Sequence, residues 1–145
     1  MHDFANTLAV LTHYIDTPAT AQSAHAGQDL QGYINPSFFC HIGAMAAASP
    51  NAQFTFALVE SDDNSTFTAV SGDDMVTSPN AEEEADVSSG VFFTADSDND
   101  SQVVRVTYKG TKRYARVNIG IADEPSATPI AIMFVAEPAL APVDA

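Results

Sequence analysis

The chain has no tryptophan, a single cysteine, and only five cationic side chains against nineteen acids. Each shortage removes a class of protein. One cysteine makes no internal disulfide, so the fold does not rest on oxidation. In its apolar setting, INPSFFCHIG, Cys40 reads as a small buried hydrophobe rather than a reactive thiol. The absence of Trp weakens a carbohydrate-stacking role. A formal charge of −14 argues against nucleic acid and against anionic membrane surfaces as partners. No apolar run approaches the roughly 20 residues of a membrane-spanning helix. The best, IAIMFVA at 130–136, is strand-sized. The opening MHDFANTLAVLTHYID lacks the basic segment of a secretory signal, so synthesis in the cytoplasm without a signal peptide is expected.

What is present suits one β-rich domain. A length of 145 residues supports one core, and 46% hydrophobic composition is enough to fill it. Phe54, Phe56 and Leu58 alternate with Thr55, Ala57 and Val59, the period of a half-buried strand. The SDDNS turn at 61–65 returns the chain into a strand at Thr66–Val70, predicting a hairpin with 53–60. Tyr33–Ile42 is strand-like, with Pro36 marking an edge or a bulge. Residues 71–101 form a long acidic stretch around Val91-Phe92-Phe93, and 130–136 is a last strand. With almost no helical periodicity, these segments predict an all-β fold, an antiparallel β-sandwich or jelly roll. The layout is an extended N-terminal arm at 1–28, a β-sandwich domain at 29–136, and an extended Pro- and Ala-rich tail at 137–145.

All five cations, Arg105, Lys109, Lys112, Arg113 and Arg116, fall in VVRVTYKGTKRYARVNIGI, within twelve residues. Gly110-Thr111 suits a two-residue type II′ turn, which needs positive φ at its first central position. That turn predicts a hairpin over 102–121 with Lys109 opposite Lys112 and Arg105 opposite Arg116. Val104, Val106, Ala115, Val117 and Ile119 then share a buried face. The other face gathers Arg105, Lys109, Lys112 and Arg116 around Thr107 and Tyr114. Like charges directly opposite are destabilising, so an anionic surface is expected to cover them. The acids Glu82, Glu83, Glu84 and Asp86 are candidates in cis, and a partner surface is the alternative. Arg105, Lys109, Lys112, Tyr114 and Arg116 are therefore candidate interface residues.

Catalytic and metal patterns are weak. Asp96, Asp98 and Asp100 open like a calcium loop, but no Gly follows and Thr107 stands where the closing Glu belongs. His2, His13, His25 and His41 are widely spaced, with no zinc-like pairing. Cys40 and His41 are strand neighbours, whose side chains point to opposite faces. There is no G-x-S-x-G and no phosphate-cradling Gly-rich loop. No catalytic residue, cofactor or metal site is assigned, and the chain is not read as an enzyme.

The segments Asp29-Leu30-Gln31-Gly32-Tyr33, then FTFALVESDDNSTFTAV, then VTYKGTKRYARV, occur in an order that resembles a group of small virion proteins. These are encoded beside the major capsid protein in tailed bacteriophages and prophages. The resemblance spans roughly residues 29 to 142. It implies a virion structural protein that binds the outside of a capsid lattice and stabilises it, as capsid decoration or cement. The implied partners are the major capsid protein and further copies of the chain, a trimer at local threefold positions, and the implied location is the capsid surface. The alternatives are a head–tail or tail component, and a receptor- or carbohydrate-binding β-sandwich on the particle.

Overall fold

The computed structural model describes residues 8–18, 25–45, 51–79, 89–123, 125 and 127–139. Ten strands form two antiparallel sheets packed face to face, with no α-helix among the described residues. The strands are β1 (Ala9–Asp16), β2 (Gln28–Asp29), β3 (Tyr33–Ile42), β4 (Gln53–Ser61) and β5 (Thr68–Ala69). After a single 3-10 turn at Gly72–Asp74 come β6 (Met75–Thr77), β7 (Val91–Ala95), β8 (Val103–Tyr108), β9 (Tyr114–Ala122) and β10 (Ile130–Pro138). The first sheet has the order β1-β10-β3-β8-β6. The second has β2-β9-β4, with β5 and β7 both on the far side of β4. The all-β sandwich expected from the strand pattern is thus what forms.

The core lies between the sheets. Phe38 and Cys40 on β3, Val104 and Val106 on β8, and Ile132 and Phe134 on β10 face Phe54, Phe56 and Leu58 on β4 and Ala115, Val117 and Ile119 on β9, all buried. Each fully buried Phe, Leu or Ile side chain is worth about 1.5–3 kcal/mol relative to exposure. The many buried rings, not covalent links, therefore hold the sandwich. The Phe92-Phe93 pair follows from a bulge: the β4–β7 register shifts between Phe56 and Ala57, so adjacent phenyl groups both turn inward. Pro36 also sits at a bulge, where the β3–β10 register slips between Val135 and Glu137.

Consecutive strands alternate between the sheets, and only the β4–β5 connection stays within one. That connection is the expected hairpin, with Glu60 opposite Thr68. The expected 102–121 hairpin does not form. β8 pairs with β3 and β6 in the first sheet, and β9 pairs with β2 and β4 in the second. Val104, Val106, Ala115, Val117 and Ile119 are buried as expected, but they face each other across the core instead of lying side by side. Gly110 does not have positive φ. A Cβ there would lie 2.3 Å from the Tyr108 hydroxyl, so Gly110 provides space for a folded-back ring, not a turn conformation. Part of the segment read as an arm is also structured. β1 is hydrogen-bonded along β10 as the edge of the first sheet, and Gln28 begins β2. At the other end, β10 continues to Pro138, and the Ala139 N–H donates to the Gly32 carbonyl at 2.7 Å.

Two glycines carry positive φ for different reasons. Gly32 (φ +83°) closes the Leu30–Tyr33 turn and has open space where a Cβ would go. Gly90 (φ +75°) would place a Cβ 2.5 Å from the Leu58 carbonyl oxygen. Gly32→Ala should cost about 1 kcal/mol from backbone strain alone. Gly90→Ala should cost clearly more, on the order of 2–3 kcal/mol or above, because backbone must move as well. Urea unfolding of both variants checks the ordering, and equal losses would contradict it.

Candidate interaction surface

The five residues that link β8 to β9, 109–113, form an arch between the sheets. Acids from distant parts of the chain hold it. The Tyr108 hydroxyl donates to Glu60 Oε2 at 2.5 Å and accepts from the Lys112 N–H at 2.9 Å. Lys112 Nζ meets Asp62 at 2.5 Å. Arg113 grips the Asp29 carboxylate through Nε and Nη2, the shortest contact being 2.8 Å. The Arg113 carbonyl accepts from Leu30, and the Lys109 N–H donates to the Asp74 carbonyl. The hydrogen bond from Arg113 holds the Asp29 carboxyl below the usual range, and the Asp62 partner raises Lys112. Both ion pairs are solvent-exposed, so each adds little stability by itself. Burial, with the bond to Glu60, pushes the Tyr108 phenol well up, so it stays protonated as a donor. The segments 29–33, 60–65 and 106–117 therefore meet at one end of the sandwich.

The candidate interface residues do not share one face. Tyr114 and Arg116 point outward from the second sheet, and Arg105 points outward from the first, away from them across the core. The predicted Lys109–Lys112 and Arg105–Arg116 pairings fail with the hairpin. Arg116 is satisfied within the chain: its guanidinium lies 3.8 Å from the Phe67 ring centroid, and it donates to the His25 carbonyl and to Asn118 Oδ1. The Arg113 guanidinium stacks over Tyr114. Among the described residues, Asp62 pairs with Lys112 and Asp29 with Arg113, while Glu82, Glu83, Glu84 and Asp86 lie outside the described residues. Lys109 is exposed, and neither ion pair among the described residues includes it.

The surface that the sequence reading missed is the outward face of the first sheet. Val10 and Ile15 on β1, Met133 on β10, Val103 on β8 and Val76 on β6 are exposed there, Ile15 at 69%. Phe39 on β3 lies opposite Arg105. Every exposed large hydrophobic residue among those described is on a strand of this sheet or, for Leu8, just before β1. The only outward acid on these strands is Glu137, near the end of β10. By contrast, the second sheet turns Thr55, Tyr114, Arg116 and Asn118 outward. Exposed apolar patches rimmed by polar residues mark binding sites. The signal was present in IAIMFVA, whose continuous apolar run means that both faces of that strand are apolar.

Other candidates resolve into structural roles. The Asp96 carboxylate accepts from Asp98 and Asn99 N–H groups, and Asp100 accepts from the Met45 N–H. The Asp63 carboxylate caps Ser65 and Thr66. Among the described residues, no group of three or more His, Cys, Asp or Glu is gathered for a metal ion. Burial pushes the Cys40 thiol well up, away from reactivity. Compared with protein-family models, with curated proteins and with solved structures, the chain finds no match.

His13 and His25 pack edge-on at 5.0 Å, with His13 also against Phe38 and His25 against Tyr14. Burial, then His25 and Arg116, lower His13 from 6.5 to about 4. Burial and Arg116 lower His25 too, although the Val117 carbonyl opposes this. That approach falls short of a hydrogen bond of normal geometry. Both rings fold neutral, whereas the unfolded chain binds their protons near pH 6.5. Stability is therefore full above pH 6.5 and falls as pH drops from 6.5 to 4, by at most about 1.4 kcal/mol per pH unit for each ring. His13→Phe should make that slope clearly shallower in urea unfolding between pH 6.5 and 4. An unchanged slope would contradict the assignment.

Proposed function

We propose that the chain is a virion structural protein that binds the outside of a capsid lattice and stabilises it, as a decoration or cement protein. The observation that carries this reading is the apolar outward face of the first sheet on a chain of charge −14. So acidic a chain repels packaged nucleic acid, while a broad apolar sheet face gives it a means of holding a protein surface. A second support is the convergence of the three sequence segments that resemble small virion proteins. Their charged residues make the ion pairs that fix the arch. The location that follows is the capsid surface, the partner is the major capsid protein, and attachment as a trimer at local threefold positions belongs to the same proposal.

Particles made without the protein should assemble but release their DNA at a lower temperature, and adding the purified protein back should restore the wild-type value. Fluorescent-dye release during heating measures this. Equal release temperatures with and without the protein would refute the stabilising role.

A further inference from the structure

We propose that the outward face of the first sheet docks on a different protein, on an apolar surface carrying a carboxylate placed to meet Arg105. This deepens the particle-binding reading and rests on it.

Arg105 is the one cation at an outward position on the described strands of that sheet. Its backbone is fixed on both edges: β3 lies on one side, and on the other the Arg105 carbonyl accepts from Ser78, whose Oγ accepts from the Arg105 N–H. Phe39 stands opposite it. The Arg105 Nε is buried and has no hydrogen-bond partner. The side chain as a whole is only partly buried, and a guanidinium fork is matched by a carboxylate. The acids that satisfy Arg113 and Lys112 sit at the arch, and Arg116 is satisfied on the second sheet. Neither ion pair among the described residues includes Arg105, which stands beside Phe39 on the apolar face.

A second copy of the chain fits this face poorly. Among the described residues, exposed large hydrophobics occur only on or beside the first sheet. Within the described residues, a second copy therefore offers an apolar surface only by presenting the same face. That contact would bury two Arg105 side chains where Glu137, at one end, is the sole outward acid on the described strands, and it would join two chains of charge −14. Unpaired buried charge and like net charge both oppose it. A different protein can supply the apolar surface and the acid together.

The test titrates the full chain and its variants onto empty shells of the major capsid protein. Circular dichroism follows folding, and light scattering follows the oligomeric state of the free chain. Arg105→Gln should weaken shell binding by about 30-fold or more, since truncating one partner of a buried charge pair acts at that scale. Arg105→Glu should weaken it further. Gln53→Glu, on the second sheet, should bind as the unaltered chain does. Melting temperature and oligomeric state should not change, and Arg105→Gln keeps the test usable if the charge reversal does not fold. If the unaltered chain and Arg105→Glu bind shells equally, the docking inference falls while the particle-binding reading stands. If the unaltered chain binds no shells, both fall. If Arg105→Glu instead dissociates an oligomer of the free chain, the occupant is a second copy and the inference is overturned.

Discussion

The short crossing between β8 and β9 is the constraint on which the rest depends. Residues 109–113 must carry the chain from one sheet to the other while concentrating most of its positive charge at one end of the sandwich. Tyr108 folds into the space that Gly110 leaves open and ties the crossing to Glu60. Lys112 and Arg113 are then matched by Asp62 and Asp29 from otherwise remote segments. None of the exposed pairs is worth much energy singly. Their contribution is to specify which strands lie on either side of the arch. With β8 committed to β3 and β9 committed to β4, the hydrophobic faces of both strands close the same core from opposite sides.

How much of this was legible in the sequence depends on which contacts are local. The period-2 pattern at 54–58 and 104–119 identified the buried residues correctly, because alternation reports the face of a strand whatever its partner. The β4–β5 hairpin was legible too, since Asp63 and Asn64 make a turn that closes within a few residues, with Asn64 at positive φ. The arch was not. Gly-Thr between two alternating strands satisfies the hairpin rule, and nothing local reveals that Gly110 is needed for a tyrosine ring. Strand-by-strand alternation between sheets makes nearly every pairing non-local, which sequence patterns do not encode and which slows folding. Of the candidate interface residues, Arg105 lies on the surface that carries the functional proposal. Lys112 and Arg116 proved to be engaged within the chain, and Tyr114 lies under Arg113 on the second sheet.

The distribution of charge and apolar surface separates the two sides of the molecule. The second sheet shows small and polar groups to solvent, whereas the first shows exposed Val, Ile and Met around one arginine. Such a division is costly for an isolated soluble protein and useful for one that spends its working life seated on another surface. The edge strand β1 shares this apolar character, and its half-buried His13 packs against His25 with Arg116 near.

β8 and β9 belong to different sheets, and backbone proton contacts measured by NMR report strand pairing directly. The fold described here gives cross-strand contacts between Phe38 and Val106 and between Leu58 and Val117. It gives none between the backbones of Arg105 and Arg116. Strong backbone contacts between Arg105 and Arg116, with Phe38–Val106 contacts missing, would restore the simple hairpin and contradict it.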